Sequence, residues 1–147
     1  MMDKKERIDF GKEDQKMIIQ AIEAAERNTS GEIRVHIESK CKEDILDHAA
    51  FIFKKLDMHK TDERNGILFY IALHDHKFAV IGDAGIHAKV GDAFWEDVKN
   101  EMIPLFKEGK LAEGLIKGIG KAGEELKSFF PYQSNDKNEL SDEISFN

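Results

Sequence analysis

Apolar residues recur along the chain with two periods, and the period distinguishes helices from strands. Between residues 12 and 28 the apolar side chains fall on one face at helical spacing, namely Met17, Ile18, Ala21, Ile22 and Ala25. Residues 32–38 alternate instead, with Ile33, Val35 and Ile37 facing one way and Arg34 and His36 the other. The pattern predicts a helix that ends at Thr29-Ser30-Gly31 and a strand that follows it.

The next segments repeat this order of helix and strand. Residues 44–56 have helical spacing, and Asp44 is placed to be the N-cap. Residues 67–73 form a nearly continuous apolar run, which is typical of a central strand buried on both faces. A polar break at 74–76 precedes another β-rich segment at 77–81. The order predicts a parallel pair of strands followed by an antiparallel hairpin, so the expected sheet is mixed.

The remainder of the chain predicts two helices and a polar tail. Apolar spacing from Asp92 onward indicates a helix that Pro104 and Gly109 help to end. A last helix over about residues 111–130 stops at Pro131. We therefore assign one domain to residues 1–131 and a C-terminal tail to residues 132–147. The acidic tail has two interpretations, disorder or docking as an edge strand through Leu140, Ile144 and Phe146.

Composition and charge indicate a soluble globular domain and exclude some partners. The 147 residues suit one core, with 41% apolar and 35% charged residues. A net charge of −7 argues against nucleic acid, because binding to phosphates requires lysine and arginine. The single Cys41 cannot form an intrachain disulfide. No apolar run resembles a signal peptide or a membrane span, so we expect a cytoplasmic protein.

The strand directions predict that three loops meet at one edge of the sheet. The loops contain residues 29–32, 62–65 and 82–85, and they carry carboxylates, hydroxyls and an amide. Oxygen ligands of these kinds bind Ca²⁺ or Mg²⁺, although the spacing is not that of an EF-hand. A second interpretation stays open, in which the acids are solvated and Arg64 pairs with one of them. Chemistry at this edge is limited to Thr29 and Ser30, which next to a metal would position a phosphate or a water.

The opposite edge offers a competing site, because ligands of open α/β sheets often bind beyond the carboxyl ends of the parallel strands. The residues expected to meet there are Glu38, Ser39, His74, Asp75 and His76. His74 and His76 are spaced to chelate a transition metal, but histidines at a hairpin tip are commonly solvated. Residues 118–123 match GxGxxG literally, yet they lie within a helical pattern, so we interpret these glycines as packing residues.

Several short motifs together resemble one family. They are Thr-Ser-Gly-Glu-Ile-Arg-Val at 29–35, Arg-Asn-Gly-Ile-Leu at 64–68, Gly-Asp-Ala-Gly-Ile at 82–86 and Phe-Trp at 94–95. The chain resembles the TPM domain, which occurs in thylakoid-lumen photosystem II repair proteins, a nematode receptor modulator and many bacterial proteins. The similarity extends over about residues 10–131, and residues 138–146 look like the ending of small stand-alone bacterial members.

The resemblance implies a three-layer α/β/α sandwich with a small mixed sheet of three or four strands, and divalent-metal binding in the acidic loops. Carried onto this sequence, it singles out Asp62, Glu63 and Asp83, with Glu32 as a fourth candidate ligand. We expect weak Ca²⁺ or Mg²⁺ binding by a regulatory or binding module with an unknown protein partner. The alternative, implied by the plant relatives, is a metal-dependent acid phosphatase, in which Arg64 would stabilise phosphoryl charge. We expect the chain to depart from many relatives in having neither a signal peptide nor the membrane anchor or glycine-rich tail.

Overall fold

A computed structural model describes residues 11–132 and 140–146. The described helices are α1 (Lys12–Glu26), α2 (Ile45–Lys55), α3 (Ala84–Lys89), α4 (Asp92–Lys107) and α5 (Leu111–Phe129). The strands are β1 (Glu32–Glu38), β2 (Gly66–Ala72), β3 (Lys77–Gly82) and β4 (Ser145–Phe146), and a short 3₁₀ helix spans Met58–Lys60. Within these residues no helix has both the length and the apolar character needed to cross a bilayer.

The strands form one mixed sheet in the order β3-β2-β1-β4. β1 and β2 are parallel, and Glu32 is paired with Gly66 at their start. β2 and β3 form the expected antiparallel hairpin. β4 adds to the free side of β1 in parallel, pairing Ser145 with His36. The α/β class and the mixed sheet predicted from the sequence are confirmed.

The two faces of the sheet belong to two separate hydrophobic clusters. One face carries Ile33, Val35, Ile37 and Phe69, all with no exposed area, and it packs against α1, α4 and α5. The other face carries Leu68, Tyr70, Ala72 and Ala79 and packs with the residues of α2. The sheet is therefore the middle layer between helices, because alternate residues of each strand contribute to opposite cores.

The helix ends follow the sequence in part. Asp44 caps α2 as predicted, since its carboxylate accepts hydrogen bonds from the N–H groups of Leu46 and Asp47 at 3.0 and 3.1 Å. The expected role of Pro104 in ending a helix is wrong, because Pro104 lies inside α4, which continues to Lys107. A proline removes one N–H donor and can be accommodated near a helix end where packing holds the last turn. The short helix α3 was not expected from the sequence.

The C-terminal tail is docked where the structure describes it. Leu140 is buried in the same cluster as Tyr70, and β4 pairs with β1 at the edge of the sheet, so residues 140–146 pack onto the domain. The expectation for residues 133–139 lies outside the described residues. The GxGxxG segment lies within α5, as predicted. A Cβ atom at Gly118 would approach Met102 Sδ within 2.5 Å, so the glycine permits close helix packing.

Candidate functional site

The three loops predicted to converge lie together at one edge of the sheet. β1 and β2 both begin at this edge and the antiparallel β3 ends there. Backbone hydrogen bonds join the loops: Asp83 N–H donates to the Gly66 carbonyl at 3.0 Å, and Glu32 N–H donates to the Asn65 carbonyl at 3.2 Å. We call residues 29–32, 61–65 and 82–85 the three-loop edge.

Arg64 and Asp83 form the strongest ion pair of this edge. The Arg64 guanidinium donates to both carboxylate oxygens of Asp83, from Nε and Nη2, at 2.7 Å each. The Asp83 side chain is 5% exposed, whereas that of Arg64 is 50% exposed. Burial alone would raise the pKa of Asp83, but the hydrogen bonds from Arg64 and from Ala84 N–H hold it below its ordinary value. The pairing of Arg64 with a loop acid, one of the two open interpretations, is therefore present.

Glu63 belongs to a second group of polar contacts. Its Oε2 accepts a hydrogen bond from Ser30 Oγ at 2.9 Å and another from Asn65 Nδ2 at 3.3 Å. Asn65 Nδ2 also donates to the Ser30 carbonyl at 3.1 Å. Asn65 is 1% exposed, and its Oδ1 has no hydrogen-bond donor within residues 11–132 and 140–146. A buried acceptor without a donor costs free energy, and a cation is one species that can satisfy it.

Gly85 holds the loop that carries these residues against β3. Its N–H donates to the Arg64 carbonyl at 2.9 Å. A Cβ atom at this position would lie 2.1 Å from the Glu63 carbonyl oxygen, which is too close for any side chain. Arg64 itself has a φ of 52°, an uncommon value for a residue with a side chain. The close backbone approach at Gly85 therefore fixes where Glu63 and Arg64 lie.

The other predicted residues of this edge are placed differently. Glu32 is 3% exposed, and its Oε1 accepts a hydrogen bond from Leu140 N–H, so it contacts the docked tail. Asp62 is exposed in the same loop as Glu63. Thr29 is 2% exposed and its hydroxyl donates to the Phe130 carbonyl, which joins the loop to the end of α5. The structure thus pairs Asp83 with Arg64, places Glu63 against Ser30 and Asn65, and directs Glu32 toward the tail.

A preformed cage of protein ligands is not present at this edge. Within the described residues, no group of three or more histidine, cysteine, aspartate or glutamate side chains is arranged to hold a metal ion. The donor set that remains is made of oxygens: the carboxylates of Glu63 and Asp83, Asn65 Oδ1 and loop carbonyls. These are the ligand types of Ca²⁺ and Mg²⁺, but Arg64 already neutralises one of the carboxylates. The metal-ligand assignment stays a prediction.

At the opposite edge, the backbone joins the end of β1 to the hairpin between β2 and β3. His74 N–H donates to the Ser39 carbonyl at 2.7 Å, and the Asp75 carboxylate accepts a hydrogen bond from Cys41 N–H at 2.8 Å. His74 and His76 are both exposed. Asp75 therefore holds the backbone of the loop at Cys41, whereas the Glu38 carboxylate is hydrogen-bonded to His36, His48 and Tyr70.

Glu38 instead lies at the centre of a polar network that sequence reasoning missed. Its Oε1 accepts a hydrogen bond from His36 Nε2 at 2.9 Å. Its Oε2 accepts one from Tyr70 Oη at 2.9 Å and one from His48 Nε2 at 3.0 Å. Glu43, which precedes α2, contacts the other nitrogen of His48. The available signal was the alternation that places His36 and Glu38 on one face of β1, with His48 one turn into α2.

The Glu38 network controls the protonation of its members. Burial alone would raise the pKa of Glu38, but hydrogen bonds from His36 and Tyr70 lower it. Burial lowers the pKa of His36. Burial would also lower the pKa of His48, but its hydrogen bonds with Glu43 and Glu38 raise it. Burial and the Glu38 charge together raise the pKa of Tyr70. The network therefore joins β1, β2 and α2 through one ionised carboxylate.

Comparison with known proteins gives the family. The model of the TPM domain matches residues 9–125. The chain belongs to the TPM domain family. No curated protein matches it. Among solved structures, this TPM domain is similar to the BA42 protein from the psychrophilic bacterium Bizionia argentinensis, with 43% identity and a TM-score of 0.88. That match covers 92% of this chain and 93% of the other.

Two more distant structures share the fold. The N-terminal domain of a P. gingivalis protein is 18% identical with a TM-score of 0.67, covering 85% of this chain and 82% of the other. The N-terminal domain of a Corynebacterium glutamicum protein is 14% identical with a TM-score of 0.66, covering 89% and 83%. At these identities the similarity concerns the fold. The TPM resemblance noted from the sequence motifs is confirmed.

Proposed function

We propose that this TPM domain binds a divalent cation, Ca²⁺ or Mg²⁺, at the three-loop edge and acts as a cytoplasmic binding or regulatory module. The observation that carries the proposal is the buried Oδ1 of Asn65, which has no donor among the described residues and belongs to the amide whose Nδ2 donates to Glu63 Oε2 at 3.3 Å. A cation there gains an amide oxygen, a carboxylate and nearby loop carbonyls. The cation would also interact with Asn65 Oδ1, which accepts no hydrogen bond from the described residues.

The affinity expected from this arrangement is low. Ca²⁺ requires about six to eight oxygens, and two carboxylates with an amide and carbonyls supply few of them without water. Asp83 can join only if the cation displaces Arg64, whose guanidinium donates two hydrogen bonds to it at 2.7 Å. Breaking that pair costs free energy that is subtracted from the binding free energy. We therefore expect dissociation constants near the millimolar range.

Titration with CaCl₂ and MgCl₂, followed by amide NMR shifts, tests the proposal. We expect saturable shifts at residues 30–32, 61–66 and 82–85. The double variant Glu63→Gln with Asn65→Leu should abolish them, because it removes the carboxylate and the amide oxygen. The matched control is Glu96→Gln with Glu101→Gln, which removes two exposed carboxylates from α4. Absence of saturable shifts in the three loops at 10 mM metal, on the order of ten times the expected constant, would overturn the proposal.

Arg64 provides a second test, because it competes with the cation for Asp83. The variant Arg64→Gln keeps a long polar side chain but removes the positive charge. We expect it to bind Ca²⁺ several-fold more tightly than the parent protein. The control Arg27→Gln removes a positive charge from the C-terminal end of α1, outside the three-loop edge. An equal gain in both variants would indicate a general charge effect and not competition at Asp83.

The second candidate function is a metal-dependent phosphomonoesterase. It is favoured by one observation: the half-exposed guanidinium of Arg64 lies at the same edge as the hydroxyl of Ser30. A bound cation would polarise phosphoryl oxygens and activate water, while Arg64 would stabilise the charge. Hydrolysis of an aryl phosphate, measured with and without chelator, tests this activity. Turnover that persists both in chelator and in the Glu63→Gln variant would contradict it.

A further inference from the structure

An apolar cavity lies far from the three-loop edge, beside the hairpin between β2 and β3. Its volume is about 370 Å³. Small-molecule sites usually have volumes of about 300–1,000 Å³, so this cavity lies near the lower end of the range. Seven apolar residues line it: Ile71, Ala72, Leu73, Phe78, Ile103, Phe106 and Leu111.

The walls of the cavity are held by the packing of the main core. Ile71 and Leu73 are 3% and 7% exposed, and they belong to the core cluster on the face that carries α4 and α5. Phe78 and Phe106 meet edge to face with their ring centroids 5.0 Å apart. Gly114 permits this position of Phe106, since a Cβ atom there would lie 2.4 Å from the ring. The apolar surface is therefore built from rigid elements.

The cavity mouth is cationic on a protein with net charge −7. Lys77, Lys107 and His76 complete the lining, and the described residues that line the cavity include no acid. The neighbouring acids are engaged elsewhere: Glu108 pairs with Lys110 at 3.2 Å, and Asp75 accepts the N–H of Cys41. In the described part of the chain neither Lys77 nor Lys107 forms an ion pair.

Helix dipoles do not account for this charge. The cavity lies where α4 ends at Lys107 and α5 begins at Leu111. The partial negative charge of one helix end opposes the partial positive charge of the other. The sign of the electrostatic potential at the mouth is therefore determined by the lysine side chains. An apolar interior with a cationic rim is complementary to a molecule with an alkyl chain and one anionic end.

We propose that this cavity binds a medium-chain fatty acid, with the alkyl chain against Phe78 and Phe106 and the carboxylate between Lys77 and Lys107. Binding transfers the alkyl chain of the fatty acid from water into the cavity. Each methylene buried in this way strengthens binding by a factor of about four. The carboxylate is attracted by the two exposed ammonium groups at the rim, whose contribution is reduced by solvent screening. The site is independent of the cation proposed for the three-loop edge.

The experiment is an amide NMR titration in the presence of EDTA, with hexanoate, octanoate and decanoate kept below their micellar concentrations. We expect saturable shifts at residues 71–78 and 103–111, with affinity rising by roughly three- to fourfold per methylene. Decanol, which has the same chain without the charge, should bind at least fivefold more weakly than decanoate. Shifts confined to other parts of the protein, or none, would overturn the proposal. So would equal affinities for decanol and decanoate.

Two variants with a matched control assign the site. Lys77→Glu with Lys107→Glu reverses the charge of the rim and should weaken decanoate binding more than tenfold, with decanol binding unchanged. The control, Lys16→Glu with Lys54→Glu, makes the same change of net charge on α1 and α2, outside the cavity lining. Equal losses in both double variants would overturn the assignment.

Leu111→Trp, a change at a partly exposed position, should fill the cavity and weaken the binding of both decanoate and decanol. Retention of decanoate affinity in this folded variant would contradict the proposal.

Discussion

Glu26 shows how single residues of this protein take protonation states that their surroundings impose. Its Oε2 accepts a hydrogen bond from Ile33 N–H at 2.9 Å. Burial is the largest cause that raises its pKa. A hydrogen bond with Asp142 and the charges of Asp142 and Glu32 raise the pKa further, to about 10. The carboxyl of Glu26 is therefore protonated at neutral pH and shares its proton with the docked tail.

The pH dependence of stability follows from this shift. The folded state retains a proton that the unfolded chain releases above its ordinary pKa of about 4.5. The free energy of unfolding therefore falls as pH rises between that value and about 10. Because Glu26→Gln is neutral at every pH, we expect it to be more stable than the parent protein at pH 8, by about 1–3 kcal/mol.

Urea denaturation at pH 5 and pH 8 measures this effect. The increase in the free energy of unfolding caused by Glu26→Gln should be larger at pH 8 than at pH 5. The reason is that the buried carboxyl of the parent protein destabilises the fold more as pH rises. Glu23→Gln, an exposed change in the same helix, should alter stability by less than about 0.5 kcal/mol at both pH values. A gain independent of pH would show that the pKa of Glu26 is not raised.

Among the elements, the contact between α1 and α5 depends on a glycine. A Cβ atom at Gly123 would lie 2.6 Å from the Ala25 Cβ and 3.0 Å from its Cα. Ala25 is 6% exposed and has no flexible end that could move away. A Cβ atom at Gly120, in the same helix, would meet nothing within 4 Å among the described residues. The two glycines therefore separate the effect of packing from that of helix propensity.

The pair of variants Gly123→Ala and Gly120→Ala tests this distinction. Gly123→Ala should lower the free energy of unfolding by about 1–3 kcal/mol, because the added methyl separates two helices. Gly120→Ala should raise it by about 0.5–1 kcal/mol, because alanine loses less backbone entropy in a helix. Thermal denaturation of both variants at one pH measures the difference. Stabilisation by both substitutions would mean that α1 and α5 are not in close contact at Gly123.

For the whole molecule, the C-terminal segment closes one side of the sheet. Leu140 is 8% exposed, and its Cδ1 lies 3.5 Å from the position of a Cβ at Gly66, where β2 begins. His36 Nδ1 and Ser145 Oγ lie 2.7 Å apart, which joins β4 to the Glu38 network. Residues far apart along the sequence thus complete one hydrophobic cluster and one polar network.

Removal of the buried end of this segment should destabilise the whole domain. Leu140→Ala should cost about 2–3 kcal/mol, because a buried leucine leaves a cavity. Phe146→Ala should cost less than about 1 kcal/mol, because Phe146 is 42% exposed. Urea unfolding followed by circular dichroism measures both losses. Equal small losses would show that the tail is not part of the cooperative unit.

The sequence alone predicts the elements with a strong local signal and the direction of their strands. The alternation in β1, the continuous apolar run of β2 and the helical stripes of α1, α2, α4 and α5 each show within a few residues which faces are buried. Asp44 as N-cap is equally local. Strand direction then indicates that the three loops meet, since that follows from the order of the elements alone. The helix α3 and the continuation of α4 beyond Pro104 escape prediction, because tertiary packing outweighs weak local propensity there.

Only the tertiary structure decides which side chains interact across those elements. Arg64 had several loop acids available in the sequence, and the backbone approach at Gly85 selects Asp83. Glu38 meets His48 and Tyr70 because α2, which carries His48, covers the face of the sheet on which Glu38 and Tyr70 lie. The cationic cavity likewise combines the hairpin with the junction of α4 and α5. The periodicity of apolar residues determines on which face of a helix or strand a residue lies. Whether two residues far apart in sequence touch depends on how the helices pack on the sheet, which is a property of the whole folded chain.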